Sequence, residues 1–191
     1  MPAVQSHPSL DASKGGRALG AMIFSFFGAV WLEIWDWRAG AGPAAFAVIA
    51  LLGLALLARA WLRYRRFAPA LALEPETPQK KRAARIFNIV NIGQWVVIVV
   101  LGNVLANLGL GEWVVPMAIV VVGLHFVPLA HVFRNRSHYL LAAAMVGFAM
   151  LYPQLAPGGP ADPVGFMGAG LMLWLGALWA LREPAGKAGT A

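Results

Sequence analysis

The sequence of 191 residues contains no cysteine. Disulfide frameworks, thiolate metal sites, iron–sulfur ligation and cysteine nucleophiles are thereby excluded. Charge is also scarce: 12% of residues are charged, against roughly 25% in soluble domains. The shortage is concentrated in long uncharged runs rather than spread evenly. No pair of carboxylates and no Ser/His/Asp order suggests hydrolysis, and the chain does not read as an enzyme. No residues carry a resemblance to a known family.

What is present is apolar. Hydrophobic residues make up 60% of the chain and its mean hydropathy is +0.68. A chain of this composition does not fit one water-soluble core, which points to lipid as its solvent. A helix rising about 1.5 Å per residue needs about 20 apolar residues to cross hydrocarbon. Six such runs appear, near Leu19–Trp37, Pro43–Trp61, Ile86–Leu108, Trp113–Phe133, Tyr139–Leu155 and Pro163–Leu181. Each is continuously apolar, whereas a barrel strand alternates over about ten residues. The predicted fold class is an all-α integral membrane protein of six transmembrane helices, arranged as three consecutive hairpins. The first run is read as a span and not a signal peptide, because it continues too far and ends in Glu33–Ile34–Trp35–Asp36–Trp37–Arg38.

Lys and Arg set orientation, because they are retained on the cytoplasmic side of short loops. With the N-terminus inside, the inner segments hold Lys14 and Arg17, the run from Arg59 to Arg85, Arg134 and Arg136, and Arg182 and Lys187. Arg38 alone falls outside, beside the acids Asp36, Glu112 and Asp162 of the outer turns. Six spans then return the C-terminus to the cytoplasm, giving an N-in/C-in topology. Domain organisation follows: a flexible cytoplasmic tail over residues 1–17, one transmembrane domain over 18–182 and a flexible tail over 183–191. Phe67 to Gln79 is expected to be the longest loop, with Pro69, Pro75 and Pro78 interrupting helix. Compact loops and no organelle-type presequence place the chain in a bacterial inner membrane.

The lipid bilayer is the first partner. Arg59, Arg63, Arg65 and Arg66 enforce topology and are expected to attract anionic inner-leaflet lipid. The net charge of +7 needs no nucleic acid. Small-xxx-small spacings at Gly16/Gly20, Ala143/Gly147 and Gly165/Ala169 suggest close helix packing, within the chain or in a homo-oligomer. The eight tryptophans lie mostly near span ends and read as interfacial anchors.

Polar residues within the spans carry the functional signal, since each is expensive in hydrocarbon unless paired or wet. Asn88, Asn91 and Gln94 recur at steps of three along the third span, which is therefore expected to face the bundle. Asn103 and Asn107 occupy a neighbouring face nearer the outside. His125 precedes Pro128, which is expected to kink the fourth span and free the carbonyl of Leu124. By depth, His125 and the Asn91–Gln94 stripe lie level. Glu33 with Trp37, Asn103 and Asn107 suggests an outer vestibule, or Glu33 pairs with Arg38; Asp36 is expected to be solvated.

These residues make Asn88, Asn91, Gln94, His125, Glu33 and Asn103 the candidate substrate contacts of a permease- or channel-like protein for a small solute or ion. Two alternatives stand beside it: a non-catalytic scaffold or stress-protection protein acting through helix packing, and a cofactor-binding protein centred on His125. No metal or cofactor is expected, since His125, His131 and His138 are spaced by six and seven residues, unlike the i, i+4 pair of helical zinc sites.

Overall fold

A computed structural model describes residues 10–182. The tails expected over residues 1–9 and 183–191 lie outside the described residues. The described chain is all-helical, and its six helices are each long and apolar enough to cross a membrane. They are α1 (Leu10–Ala39), α2 (Pro43–Leu73), α3 (Pro78–Asn107), α4 (Val114–Val132), α5 (Arg136–Leu155) and α6 (Val164–Leu181). Single 3-10 turns at Gly111–Trp113 and Gly159–Ala161 lead into α4 and α6.

Local chemistry explains where the helices begin. Pro43 and Pro78 occupy the first turns of α2 and α3, where the missing N–H has no helical partner to lose. The Thr77 hydroxyl accepts from Lys80 N at 3.2 Å, and the Asn135 side-chain Oδ1 accepts from Ser137 N at 3.2 Å, each capping an orphan donor. Three helices end alike. Ala41 N donates to Asp36 O, Leu110 N to Leu105 O and Asn135 N to Ala130 O, the six-to-one bond of a Schellman turn. The residue before each donor has positive φ: Gly40 at 66°, Gly109 at 74° and Arg134 at 49°.

Two expectations about segment length are corrected. Residues 10–17, assigned to a flexible tail, form the first turns of α1. Asp11 sits favourably at that N-terminus and pairs with Lys14 at 2.9 Å. Gly15 lies so close to α2 that an added Cβ would sit 2.3 Å from Leu71 Cδ1. The same contact explains why the long loop expected from Phe67 is short. α2 continues through Pro69 to Leu73, leaving only residues 74–77 between α2 and α3. One proline costs one hydrogen bond and some strain, while packing on α1 holds the following turn.

α1 packs between α2 and α6, α6 touches α5, α5 packs on α4, and α4 carries α3. Edge-to-face stacking of Phe24 on Phe126, with centroids 5.4 Å apart, brings α1 against α4. The main core lies among α1, α4, α5 and α6, centred on Ile119, Val122, Phe126, Met145 and Leu173. α2 and α3 flank it. The expectation that α3 faces the bundle holds for one face only: Phe87, Val90 and Ile98 pack against the core, but none of its residues is fully buried. Ile89, Ile92, Val96 and Val100 are all more than half exposed, as expected of a helix whose remaining faces meet lipid.

Of the small-residue pairs read from spacing, only Gly165/Ala169 is closely packed, and other glycines do the rest. A Cβ on Gly16 or Gly20 would meet nothing within 4 Å, and the same holds for Gly147. Ala143 is exposed. Gly165 and Ala169 are buried as read. A close junction lies between α1 and α6, where a Cβ on Gly28 would lie 2.3 Å from Trp174 Cδ1 and one on Gly170 would lie 2.9 Å from Gly28 O. Trp174, expected as an interfacial anchor, is buried there and donates Nε1–H to Ser25 O at 3.1 Å.

Candidate functional site

Most polar side chains of the spans are satisfied on their own helix. Asn91 Nδ2 donates to Phe87 O at 3.1 Å, Asn103 Nδ2 to Val99 O at 2.7 Å and Asn107 Nδ2 to Asn103 O at 2.8 Å. Ser25 and Gln154 bond four residues back in the same way. Such bonds hold a polar group in an apolar medium without a second helix. The stripe Asn88–Asn91–Gln94 does not act as one surface: Asn88 is exposed, whereas Asn91 and Gln94 are half-buried. Three residues advance about 300° around a helix, so two such steps turn the stripe aside.

Gln94 differs from its neighbours, because its Oε1 is buried without a hydrogen-bond partner. The register of α3 on α4 is fixed by Phe87 against Phe133, with centroids 6.2 Å apart, and by Gly102 against Val114 and Met117. This antiparallel register sets Gln94 level with His125. His125 Nδ1 bonds the carbonyl of Val122 on its own helix, and its ring lies 4.0 Å from that of Phe126. α4 passes through Pro128 without interruption as far as Val132.

His138, weighed from the sequence only as a metal ligand, lies near His125, across the Phe126 ring. It is half-buried in the first turn of α5, with its ring 5.8 Å from Phe126 and 5.9 Å from Phe24. Its Nδ1 is buried and has no partner. The Asn135 cap starts α5 abruptly after the turn at Arg134, which carries His138 inward rather than leaving it in the connection. Position in the first helical turn after Asn135 was the available signal. His125 and His138 flank the Phe126 ring from α4 and α5, and Gln94 lies on α3 level with His125. Among the described residues no group of three His, Asp or Glu side chains is arranged to hold a metal ion.

The outer vestibule is not assembled as expected. Asn103 and Asn107 are exposed on α3, away from Glu33. Glu33 and Trp37 instead line an apolar groove of about 570 Å³ between α1 and α2, with Phe26, Val30, Leu54 and Leu57. Glu33 Oε2 is buried without a hydrogen bond, and Glu33 makes no ion pair with Arg38 among the described residues. Asp36, expected to be solvated, is 6% exposed. It falls on the face of α1 that also carries Gly28 and Leu32, so its place on the helix decides its burial.

The arginines divide in two. Arg17 donates to Trp179 O and Arg182 O, and Arg63 donates to Leu181 O at 3.0 Å. α1 and α2 thereby cap the last carbonyls of α6 with positive charge. Arg59, Arg65 and Arg66 are exposed, with Arg65 lying 4.7 Å from the Trp61 ring. No family model, no curated protein and no solved structure matches this chain.

Proposed function

We propose that the chain is a small permease- or channel-like protein of a bacterial inner membrane, with both termini cytoplasmic and a solute or ion contact at Gln94, His125 and His138. The observation that supports this reading is the pair of buried, unpartnered polar atoms, Gln94 Oε1 and His138 Nδ1. Each costs about 1–3 kcal/mol when left unsatisfied. A solute or a water chain that hydrogen-bonds there recovers that cost, and His125 at the same depth adds a ring nitrogen to the set. Asn91 is a weaker contributor, since its amide is committed to Phe87. Exposed Arg59, Arg65 and Arg66, with Arg63 partly engaged, would meet anionic lipid on the cytoplasmic face.

The test is flux in proteoliposomes, read by stopped-flow light scattering against urea, glycerol and the chlorides of ammonium and potassium. At least one solute should cross faster than in protein-free vesicles. The double variant Gln94→Leu/His138→Phe should lower that flux about tenfold or more, the worth of one lost buried hydrogen bond. Flux indistinguishable between the two proteins would refute the site.

A second reading, a scaffold acting through lateral association, is supported by α3, which packs on α4 and leaves most of its surface uncovered. A stable dimer or higher oligomer in detergent, together with no solute flux, would favour it over transport.

A further inference from the structure

The groove between α1 and α2 is lined by none of Gln94, His125 and His138, so it is independent of the site proposed above. Its volume of about 570 Å³ falls within the range of about 300–1,000 Å³ usual for small-molecule sites. Its walls are hydrocarbon and aromatic, from Phe26, Val30, Leu54 and Leu57, and Trp37 lies one helical turn beyond Glu33. Glu33 is the one ionisable residue among those lining it. Six residues separate Glu33 from the end of α1, a rise of about 9 Å.

A carboxylate at that depth is costly unless a cation joins it. Arg38, the nearest cation in sequence, makes no ion pair with Glu33 among the described residues. Phe26 and Trp37 are 54% and 78% exposed, so both rings are accessible to a ligand, although Phe26 also stands edge-to-face against Phe27 with centroids 5.3 Å apart. Aromatic faces and a carboxylate attract the same sign of charge. A phosphate or carboxylate headgroup would be repelled, and a neutral hydrocarbon would leave the Glu33 oxygen unsatisfied.

We propose that the α1–α2 groove binds a hydrophobic organic cation, with Glu33 as the counter-charge, Phe26 and Trp37 as aromatic contacts, and Leu54 and Leu57 against the apolar body. The site selects by charge. Two ions of the same size and shape but opposite sign therefore test it directly.

Binding of tetraphenylphosphonium and of tetraphenylborate to the full chain in dodecylmaltoside is measured by equilibrium dialysis, with uptake by protein-free micelles subtracted. The wild-type protein should prefer the cation by at least about tenfold, and Glu33→Gln should abolish that preference. Leu54→Trp, which fills the groove and leaves the carboxylate, should weaken cation binding by a similar factor. This second variant keeps the question open to refutation if Glu33→Gln folds poorly. Equal binding of both ions by the wild type overturns the proposal, as does a cation preference that survives Glu33→Gln, or a cation affinity unchanged by Leu54→Trp, in folded protein.

Discussion

Arg134 holds a left-handed backbone, φ 49°, at the end of α4, where the two comparable turns of α1 and α3 use Gly40 and Gly109. For a residue with a Cβ that conformation is strained, while glycine adopts it freely. Arg134→Gly is expected to stabilise the protein by about 0.5–1 kcal/mol, after allowance for the greater freedom of glycine in the unfolded chain. A higher thermal midpoint in detergent would register the gain, and an unchanged or lower one would mean that the arginine side chain offsets its backbone. Gly28 presents the opposite case. An added Cβ would sit 2.8 Å from Trp174 Nε1 and 3.1 Å from Gly170 O, and a backbone oxygen cannot swing aside. Gly28→Ala should destabilise by about 1–3 kcal/mol, while Gly20→Ala, with open space at its Cβ, should be near neutral in the same melt. Sequence spacing pointed to Gly16 and Gly20 rather than Gly28, because glycines four apart look alike whether a neighbour or lipid covers them. The candidate site was partly legible for the same reason. Gln94 and His125 stand out as polar residues in apolar runs, but the part played by His138 depends on how far the Asn135 cap lets α5 start. No residue pattern reports that distance.

At the scale of the element, the six spans were readable because about 20 uninterrupted apolar residues have few other uses. Their extensions were not. α1, α2 and α3 run past the apolar stretches at the Lys- and Arg-rich end by contacts distant in sequence, such as Gly15 with Leu71 and Lys14 Nζ 5.1 Å from the Phe67 ring. Composition assigned the start of α1 to a tail, and proline assigned the end of α2 to a loop, since neither signal contains the partner helix. The same extensions place Arg17 and Arg63 over the end of α6. Charged donors on terminal carbonyls stabilise by about 1.5–3 kcal/mol each when the bond is not shared with water. Arg63 is half-buried, so the lower part of that range applies. Arg63→Met, which keeps an unbranched apolar stem, should fray the last turn of α6. Hydrogen exchange of the amides near Trp179 to Arg182 would rise about tenfold, with little change in the middle of α6. Uniform loosening along the whole helix would instead assign Arg63 a general packing role.

For the whole molecule, packing and orientation are separate questions with different sources of information. Which helix meets which was hidden from the sequence because lipid and protein both accept apolar side chains, so α3 reads the same at an edge as in a core. Orientation, by contrast, is written in charge. Among the described Lys and Arg residues, Arg38 alone lies at the end of the helices opposite the rest. Chains crossing a bilayer keep such residues on the cytoplasmic side, and six helices that all cross would return residues 10 and 182 to one face. The absence of cysteine makes the consequence easy to check, because single-cysteine variants carry no native background. Ala41, Glu112 and Ala161 are exposed in the three connections at one end, and Glu76 and Arg136 are exposed at the other. In intact cells a membrane-impermeant maleimide should label Ala41→Cys, Glu112→Cys and Ala161→Cys but not Glu76→Cys or Arg136→Cys until the membrane is opened. The reverse pattern would invert the topology and turn the arginine-rich end outward, removing the proposed cytoplasmic lipid contact and moving the proposed Gln94–His138 site to the opposite half of the membrane. Labelling of all five from outside would mean that the helices do not span the bilayer as a set. The α1–α2 groove would then face water, where the charge preference expected of Glu33 is screened and falls with added salt.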